Sequence, residues 1–353
     1  MKKELLLATT IAALGATTAG AVTHSVSGNH RMGLLDVDKD SSNATTGTTN
    51  SNIKSSLSYS LEETLDSGTV ISGGFSIMSE GSSFNYTGNT GITLTFTDDS
   101  SLELISAGDA HKDHDVAVPG ASGEMSIATG SSNSAASGID GVGGSNAVGF
   151  AWHSAADVGG VDGLSVSLSY SNGDETAVSG ATVAIDSSVS AGVTYVSDQG
   201  DTTVTIGAGV HSANDQNSTT VTETSVYHIG AVAVNGDLTI GAGVGAGEYG
   251  HDKGDDHQEV DDWQATEFGI SYVSGDFTVT ASFMDAESTD AASGTTPSGS
   301  ADELSKAAVS VDYAVASGVT TTIGFLSQEA KDEGTKKDTS SGSSWYIGTN
   351  LSF

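Results

Sequence analysis

The sequence predicts an all-β protein, a 16-stranded antiparallel transmembrane β-barrel. Three observations carry that prediction. Apolar residues recur at every second position through nearly the whole chain. Short turns and long polar segments alternate between those stretches. After residue 21, no run approaches the roughly 20 consecutive apolar residues of a transmembrane helix.

Composition bounds the function classes. The chain of 353 residues has 46 glycines, 2 prolines and no cysteine, and its formal net charge is −34. Lys and Arg total only 11, which argues against nucleic-acid binding, because affinity for a phosphate backbone comes from clustered cations. The acidity permits attraction of cations and keeps loops solvated. The lack of cysteine removes disulfide and thiolate chemistry and fits a secreted bacterial protein. High Gly and Ser with few aromatics also suits a disordered chain, but disorder would not carry the alternation.

Residues 1–21 read as a secretory signal peptide, leaving 22–353 as the barrel. Lys2 and Lys3 form the positive end, Leu5 to Leu14 is a short apolar run, and Ala19-Gly20-Ala21 is a small-x-small cleavage site.

The strands follow in order. Ile53, Ser55, Leu57, Tyr59 and Leu61 fall on one side, and Lys54, Ser56, Ser58 and Ser60 on the other. Successive strand side chains point to opposite faces, so this is a ribbon with one apolar face. The same alternation runs through Ile71–Ile77, Ile92–Phe96, Val148–Trp152, Leu164–Tyr170, Val189–Tyr195 and Val204–Val210. It continues through Tyr227–Ala233, Leu238–Val244, Phe268–Tyr272, Phe277–Phe283, Ala307–Tyr313 and Val319–Phe325. Phe84, Tyr86, Tyr249 and Trp263 fall in loops or out of register.

Short turns are expected at Asp98-Asp99-Ser100, Asp198-Gln199-Gly200, Asn235-Gly236, Ser274-Gly275 and Ser317-Gly318. Slightly longer ones fall near Leu65-Asp66-Ser67 and Ala155–Val161. The long polar segments are 36–50, 80–88, 108–145, 172–186, 213–222, 249–262, 287–302 and 329–342. Seven short and eight long connections make 16 strands, with short turns at one rim and long loops at the other. Pro119 and Pro297 both fall in long loops, where no ladder hydrogen bond is lost.

The final stretch has the same character. Trp345, Ile347, Thr349, Leu351 and Phe353 share one parity, so its apolar face carries an aromatic at each end. A barrel must close its last strand on its first, so that no backbone edge faces lipid. An edge strand of a soluble β-sandwich is the alternative for this stretch alone. Across the chain the second parity is mostly Ser, Thr and Gly, which suits a water-filled lumen inside a lipid-facing band. It also suits a soluble Ser/Thr-rich adhesin or surface-layer protein, which would need neither strand closure nor alternating connections.

At these points the chain resembles the Gram-negative general porins, of the alphaproteobacterial kind that forms sixteen-stranded trimers. The resemblance rests on Trp345–Phe353, on the opening strand Val22–Leu35 with Gly28 and Gly33, and on Thr93–Gly108 with the long loop after it. It implies an outer-membrane location and passive diffusion of small hydrophilic solutes and ions, without enzymatic activity, cofactor or energy source. It implies that 108–145 is a third loop folded inward as a constriction. It implies a homotrimer, with Ser55 and Gly73 on a close-packed outer face. It also implies that Trp345, Ile347, Leu351 and Phe353 form the signal read by barrel-assembly machinery. A porin selective for one substrate is the nearest alternative. The chain departs from the family in having a single Arg, where relatives often line one wall with several.

On this reading Asp109, Asp113, Asp115, Glu124 and Asp140 place negative charge beside the path, and Glu103 and Asp312 take lumen parity. Parity also turns Arg31 and Lys54 inward, as a basic wall facing the acidic loop. The bland alternative pairs them locally at a rim. Because acids outnumber bases, weak cation preference is expected. His111-Lys112-Asp113-His114-Asp115 has the residue types of a metal tract, but two histidines three apart on a loop read more simply as a polar loop. Asp252, Asp255, Asp256 and Glu259 could hold Ca²⁺, although the spacing is not that of an EF-hand and a solvated acidic loop is the simpler reading. Catalysis has little support. His153, His211 and His228 share lumen parity, yet no Gly-x-Ser-x-Gly or His-Glu-x-x-His occurs.

Overall fold

The computed structural model describes residues 22–41, 44–80, 83–104, 110–122, 148–172, 184–217, 220–252, 261–289, 301–332 and 339–353. The expected signal peptide lies outside them. Sixteen strands follow: β1 (Thr23–Ser41), β2 (Ala44–Thr64), β3 (Val70–Glu80), β4 (Ser83–Thr95), β5 (Ser101–Leu104), β6 (Val148–His153), β7 (Leu164–Asn172) and β8 (Ala184–Gln199). Then come β9 (Thr202–Asn217), β10 (Thr220–Asn235), β11 (Leu238–Asp252), β12 (Asp261–Ser274), β13 (Phe277–Thr289), β14 (Ala301–Ala316), β15 (Val319–Asp332) and β16 (Thr339–Ser352). Each pairs antiparallel with its sequence neighbours, and β16 pairs with β1, so the sheet is a closed barrel. The closure expected from the last strand is therefore present, and a sheet with open edges is ruled out.

All seven short turns form where expected, and each contains a residue at positive φ. These are Gly68, Asp99, Asp157 with Gly159, Gly160 and Gly163, then Gly200, Gly236, Gly275 and Gly318. Tight hairpin turns need this left-handed backbone, which glycine adopts without a side-chain clash.

Parity sorts the two faces as alternation predicts. Met32, Leu34, Ile53, Tyr227, Ile229, Trp345, Ile347, Leu351 and Phe353 are all exposed on the outside. Their intervening neighbours point into the lumen. Tyr346 breaks the small-residue rule there for a structural reason. Gly33 and Gly348 face each other across the closing seam. The Tyr346 ring lies over both, and a Cβ on Gly33 would come within 2.6 Å of it. Tyr346 is accordingly only 2% exposed.

Two expectations are corrected. Several long polar segments are largely strand. The β1–β2 ribbon continues through Asp36↔Thr49 to Ser41↔Ala44, and 213–222, 249–252 and 329–332 also lie mostly in strands. Thr and Ser favour or tolerate extended backbone, so polarity alone did not mark loops. Phe84 and Tyr86 lie in β4, not in a loop. Register shifts between Ser72 and Gly74 and between Ser76 and Ile77 interrupt the β3–β4 ladder, which hides the period in sequence. Trp263 belongs to β12, with its indole against Gly247 on the lumen side.

Candidate functional site

Residues 110–122 form a strap that lies flat on the inner wall and crosses it from β7 to β14. The Ala110 N–H donates to Ser169 Oγ on β7 at 3.0 Å, and the His111 N–H to Ser190 Oγ on β8 at 3.3 Å. A single 3-10 turn, Lys112–His114, follows. At the far end the Ala121 N–H donates to Ser282 Oγ on β13 at 3.2 Å, and the Ser122 N–H to Ser310 Oγ on β14 at 2.8 Å. The serines that make the lumen polar thus serve as acceptors for a chain that has no ladder of its own.

Between these anchors the strap sits where the wall has no side chains. A Cβ on Gly192 would overlap the His114 ring, and one on Gly207 the His114 carbonyl oxygen. One on Gly209 would press on His111, one on Gly230 on Val116, one on Gly241 on Pro119, and one on Gly269 on the Pro119 carbonyl oxygen. These six lumen-parity glycines on β8 to β12 form a shallow track. Val116, 6% exposed, is the apolar anchor at its middle.

Histidines fill the seam at the leading half. His114 joins Thr194 Oγ1 through Nδ1 and Ser167 Oγ through Nε2, both at 2.7 Å. Ser167 also meets His153 Nδ1 at 2.9 Å. The His228 Nε2–H donates to the His111 carbonyl at 2.9 Å, which fixes that tautomer. The His111 ring stacks obliquely on His211, with centroids 4.9 Å apart, and lies 5.9 Å from His228. His111 is 1% exposed, and among the described residues neither of its ring nitrogens has a hydrogen-bond partner. Burial, with His211 and His228 close by, holds its imidazole down to about 3, well below the ordinary value of 6.5. Burial also lowers His114.

The carboxylates are placed as follows. Asp113 Oδ2 lies 3.5 Å from His153 Nδ1, and Glu103 Oε1 on β5 lies 3.9 Å from His153 Nε2. Asp115 Oδ1 lies 3.9 Å from His228 Nδ1. The Asp113 side chain is 53% exposed to the lumen. Asp312 clamps the strap's far end, accepting from Ser122 Oγ and Thr322 Oγ1. Arg31 and Lys54 are direct partners across the β1–β2 ladder. Strand order puts them across the barrel from β9 and β10, under the strap's middle. The molecule therefore has a strap-covered, acidic and histidine-rich wall opposite a wall bearing Arg31 and Lys54.

A family model for Gram-negative porins matches residues 8–337. The chain belongs to the Gram-negative porin family. It is an outer-membrane channel for passive diffusion, with a barrel that crosses the membrane many times. Among solved structures, the anion-selective porin from Comamonas acidovorans is similar at TM-score 0.64, with 13% identity over 94% of this chain and 100% of that one. The outer-membrane expressed OmpT of Vibrio cholerae has TM-score 0.61 and 12% identity, over 96% of this chain and 99% of its own. In-vitro folded OmpT of Vibrio cholerae in its trimer form has TM-score 0.61 and 14% identity, over 94% and 100%. Likeness at these identities is one of fold. No curated protein sequence matches the chain.

In this porin, Asp109, Glu124, Asp140, Asp255, Asp256 and Glu259 lie outside the described residues. Asp252 ends β11, where its backbone pairs with Thr222. The His111–Asp115 tract is an anchoring element. Among the described residues no group of three or more His, Cys, Asp or Glu is arranged to hold a metal ion. The glycine track escaped sequence reading. Its signal was available, since the lumen parity of β8 to β12 carries glycine where other strands carry Ser or Thr.

Proposed function

We propose that this porin is a homotrimer with a weak preference for cations, admitting small polar solutes between the strap and the β1–β2 wall. The observation that supports the preference is the exposure of Asp113 on the strap, with Asp115 and Glu103 nearby. In a planar bilayer with a tenfold KCl gradient, the reversal potential is expected to have the sign for K⁺ entry ahead of Cl⁻. A zero or opposite sign overturns the preference and leaves the channel intact.

The trimer rests on the outer face. His30 and Ser55 oppose each other on outward parity, and His30 Nδ1 meets Ser55 Oγ at 2.8 Å. They sit among Gly28, Met32, Ile53 and Leu57, in the middle of the apolar band. Polar groups facing lipid there are unfavourable, and a second subunit would cover them. Wild-type protein crosslinked in mild detergent is expected to give a three-chain species. Ser55→Trp is expected to give single chains that still migrate as folded barrels on unheated gels. A wild type that crosslinks only as one chain overturns this reading. The outward aromatics of β16 support the same strand being read by barrel-assembly machinery.

A further inference from the structure

The β1–β2 ribbon rises past its neighbours on one side of the barrel. β1 stays paired with β16 up to Ser41↔Ser340 and with β2 up to Ser41↔Ala44. β3 leaves β2 at Lys54↔Glu80, and it turns into β4 at Glu80↔Ser83. Among the described residues, Ala44 to Ile53 therefore has a strand on its β1 side and none on the other. At about 3.3 Å per residue this open edge is about 33 Å long. We propose that the edge, at the rim of the long loops, takes up an extended cationic polypeptide as an added strand. The inference rests on the barrel fold and on neither the ion preference nor the trimer.

The seam fixes which backbone groups point into the edge. Gly28 and Phe353 exchange both of their backbone hydrogen bonds, each at 3.1 Å. In an antiparallel ladder a residue turns its N–H and C=O to one side, and that side alternates along the strand. Gly28 turns to β16, so its partner Leu57 turns away from β1. The β1–β2 register runs unbroken from that pair to Ser41↔Ala44. Thr45, Gly47, Thr49 and Ser51 therefore aim their N–H and C=O into the open edge. Edge strands are usually protected by Pro, by charge, by a bulge or by being short. Ala44 to Ile53 has no proline, no charged residue and no register shift against β1. Gly47, Thr48, Thr49, Asn50 and Ser51 are all exposed.

The chemistry of the occupant follows from the outer face beside the edge. Asp36 and Asp38 on β1 stand opposite Thr49 and Gly47, and both are exposed. Thr49 Oγ1 donates to Asp36 Oδ1 at 2.6 Å. Gly47 puts no side chain between Asp38 and the edge, and among the described residues nothing lies within 4 Å of where its Cβ would be. A Lys or Arg opposite Gly47 on an added strand starts about 10 Å from Asp38, two strand spacings, which the two side chains together span. Lys54 lies on the lumen parity, away from this face. The formal net charge of −34 steers cations toward the molecule as a whole. In strand addition, main-chain hydrogen bonds supply affinity and alternate side chains supply selection, and this edge has a device for each.

The test is fluorescence anisotropy of a labelled ten-residue peptide of alternating Lys and Thr, titrated with the purified porin in detergent micelles and dilute salt. Saturable binding is expected. The same peptide with every backbone amide N-methylated keeps its charge but has no N–H to pair, and it is expected to bind at least tenfold more weakly. Thr49→Pro removes an N–H that serves no ladder, so the strand is kept. It is expected to weaken binding at least tenfold while single-channel conductance stays at the wild-type value. Asp38→Asn is expected to weaken binding about threefold in dilute salt and to match the wild type in 1 M KCl, where charge is screened. Equal binding of the methylated and unmethylated peptides to the wild type overturns the proposal without recourse to any variant. A peptide of alternating Glu and Thr that binds as well overturns the cationic occupant. Wild-type porin that leaves the peptide unbound, yet associates with its own copies in a way Thr49→Pro abolishes, assigns the edge to a second copy and overturns the proposal too.

Discussion

Gly269→Ala is expected to lift the strap from its track and to cut or destabilise the open-channel current. The added Cβ would overlap the Pro119 carbonyl oxygen, which is backbone and cannot rotate aside. Overpacking of this kind typically costs about 1–3 kcal/mol, and the strap is held to its track mainly by single hydrogen bonds of about 1 kcal/mol each. The balance therefore favours release of the Val118–Ala121 stretch. Gly207→Ala should act alike at the other end, against the His114 carbonyl. Gly120→Ala is the control, because among the described residues no atom lies within 4 Å of the Cβ it adds. Single-channel current, with limited proteolysis of the strap, reads the result. Unchanged current and unchanged protection in Gly269→Ala would show that the strap does not depend on the track.

The second large effect concerns charge. Asp113→Asn combined with Asp115→Asn should lower the cation-to-anion permeability ratio. Two unit charges about 4–8 Å apart in a water-like medium interact by roughly 0.5–1 kcal/mol, so each carboxylate beside the path is worth about a twofold to fivefold bias. The change should be largest in dilute salt and nearly vanish at 1 M, where the screening length is about 3 Å. Asp115 is 30% exposed and faces His228, so Asp113 should carry more of the effect alone. Equal reversal potentials for wild type and double variant at low salt would place the selectivity elsewhere. Asp312→Asn is expected to change selectivity less than Asp113→Asn, and to loosen the strap's far end, because that carboxylate is held against the wall by Ser122 and Thr322.

The strand count, the closing pair and the lumen face were legible because one simple period governs them. Fourteen alternating stretches and seven short turns with Gly or Asp at the bend are local signals, and each is repeated many times. The strap was legible only as a long segment with two histidines. Its contacts run from Ala110 to Ser169 and from Ser122 to Asp312, between residues far apart in sequence, and no local pattern encodes such pairs. Lumen parity did place His153, His211 and His228 together with the strap's interior. It did not show that they would meet His111 and His114, because that depends on the path the strap takes. Asp312 illustrates the same limit from the other side. Its inward direction followed from Val311 and Tyr313, but its bond to Ser122 did not. The extent of the β1–β2 ribbon was missed because Thr45 to Thr49 look like loop by polarity while their backbone is extended.

The seam between β1 and β16 bears on how the protein reaches its folded state. Every other ladder joins neighbours in the chain, and seven of those fifteen are hairpins closed by tight turns. The seam pairs Asn29 with Ser352 and Ser41 with Ser340, residues roughly 300 positions apart, so its loop-closure entropy is the largest of any ladder in the barrel. Until it forms, both terminal strands expose unpaired backbone, which is severely unfavourable in hydrocarbon. Assembly should therefore look all-or-none, with slow, nearly simultaneous appearance of protection in β1 and β16 after the hairpins are in place. Tyr346, pressed over Gly33 and Gly348, is a natural reporter of that last event, since its ring becomes shielded only when the two strands meet.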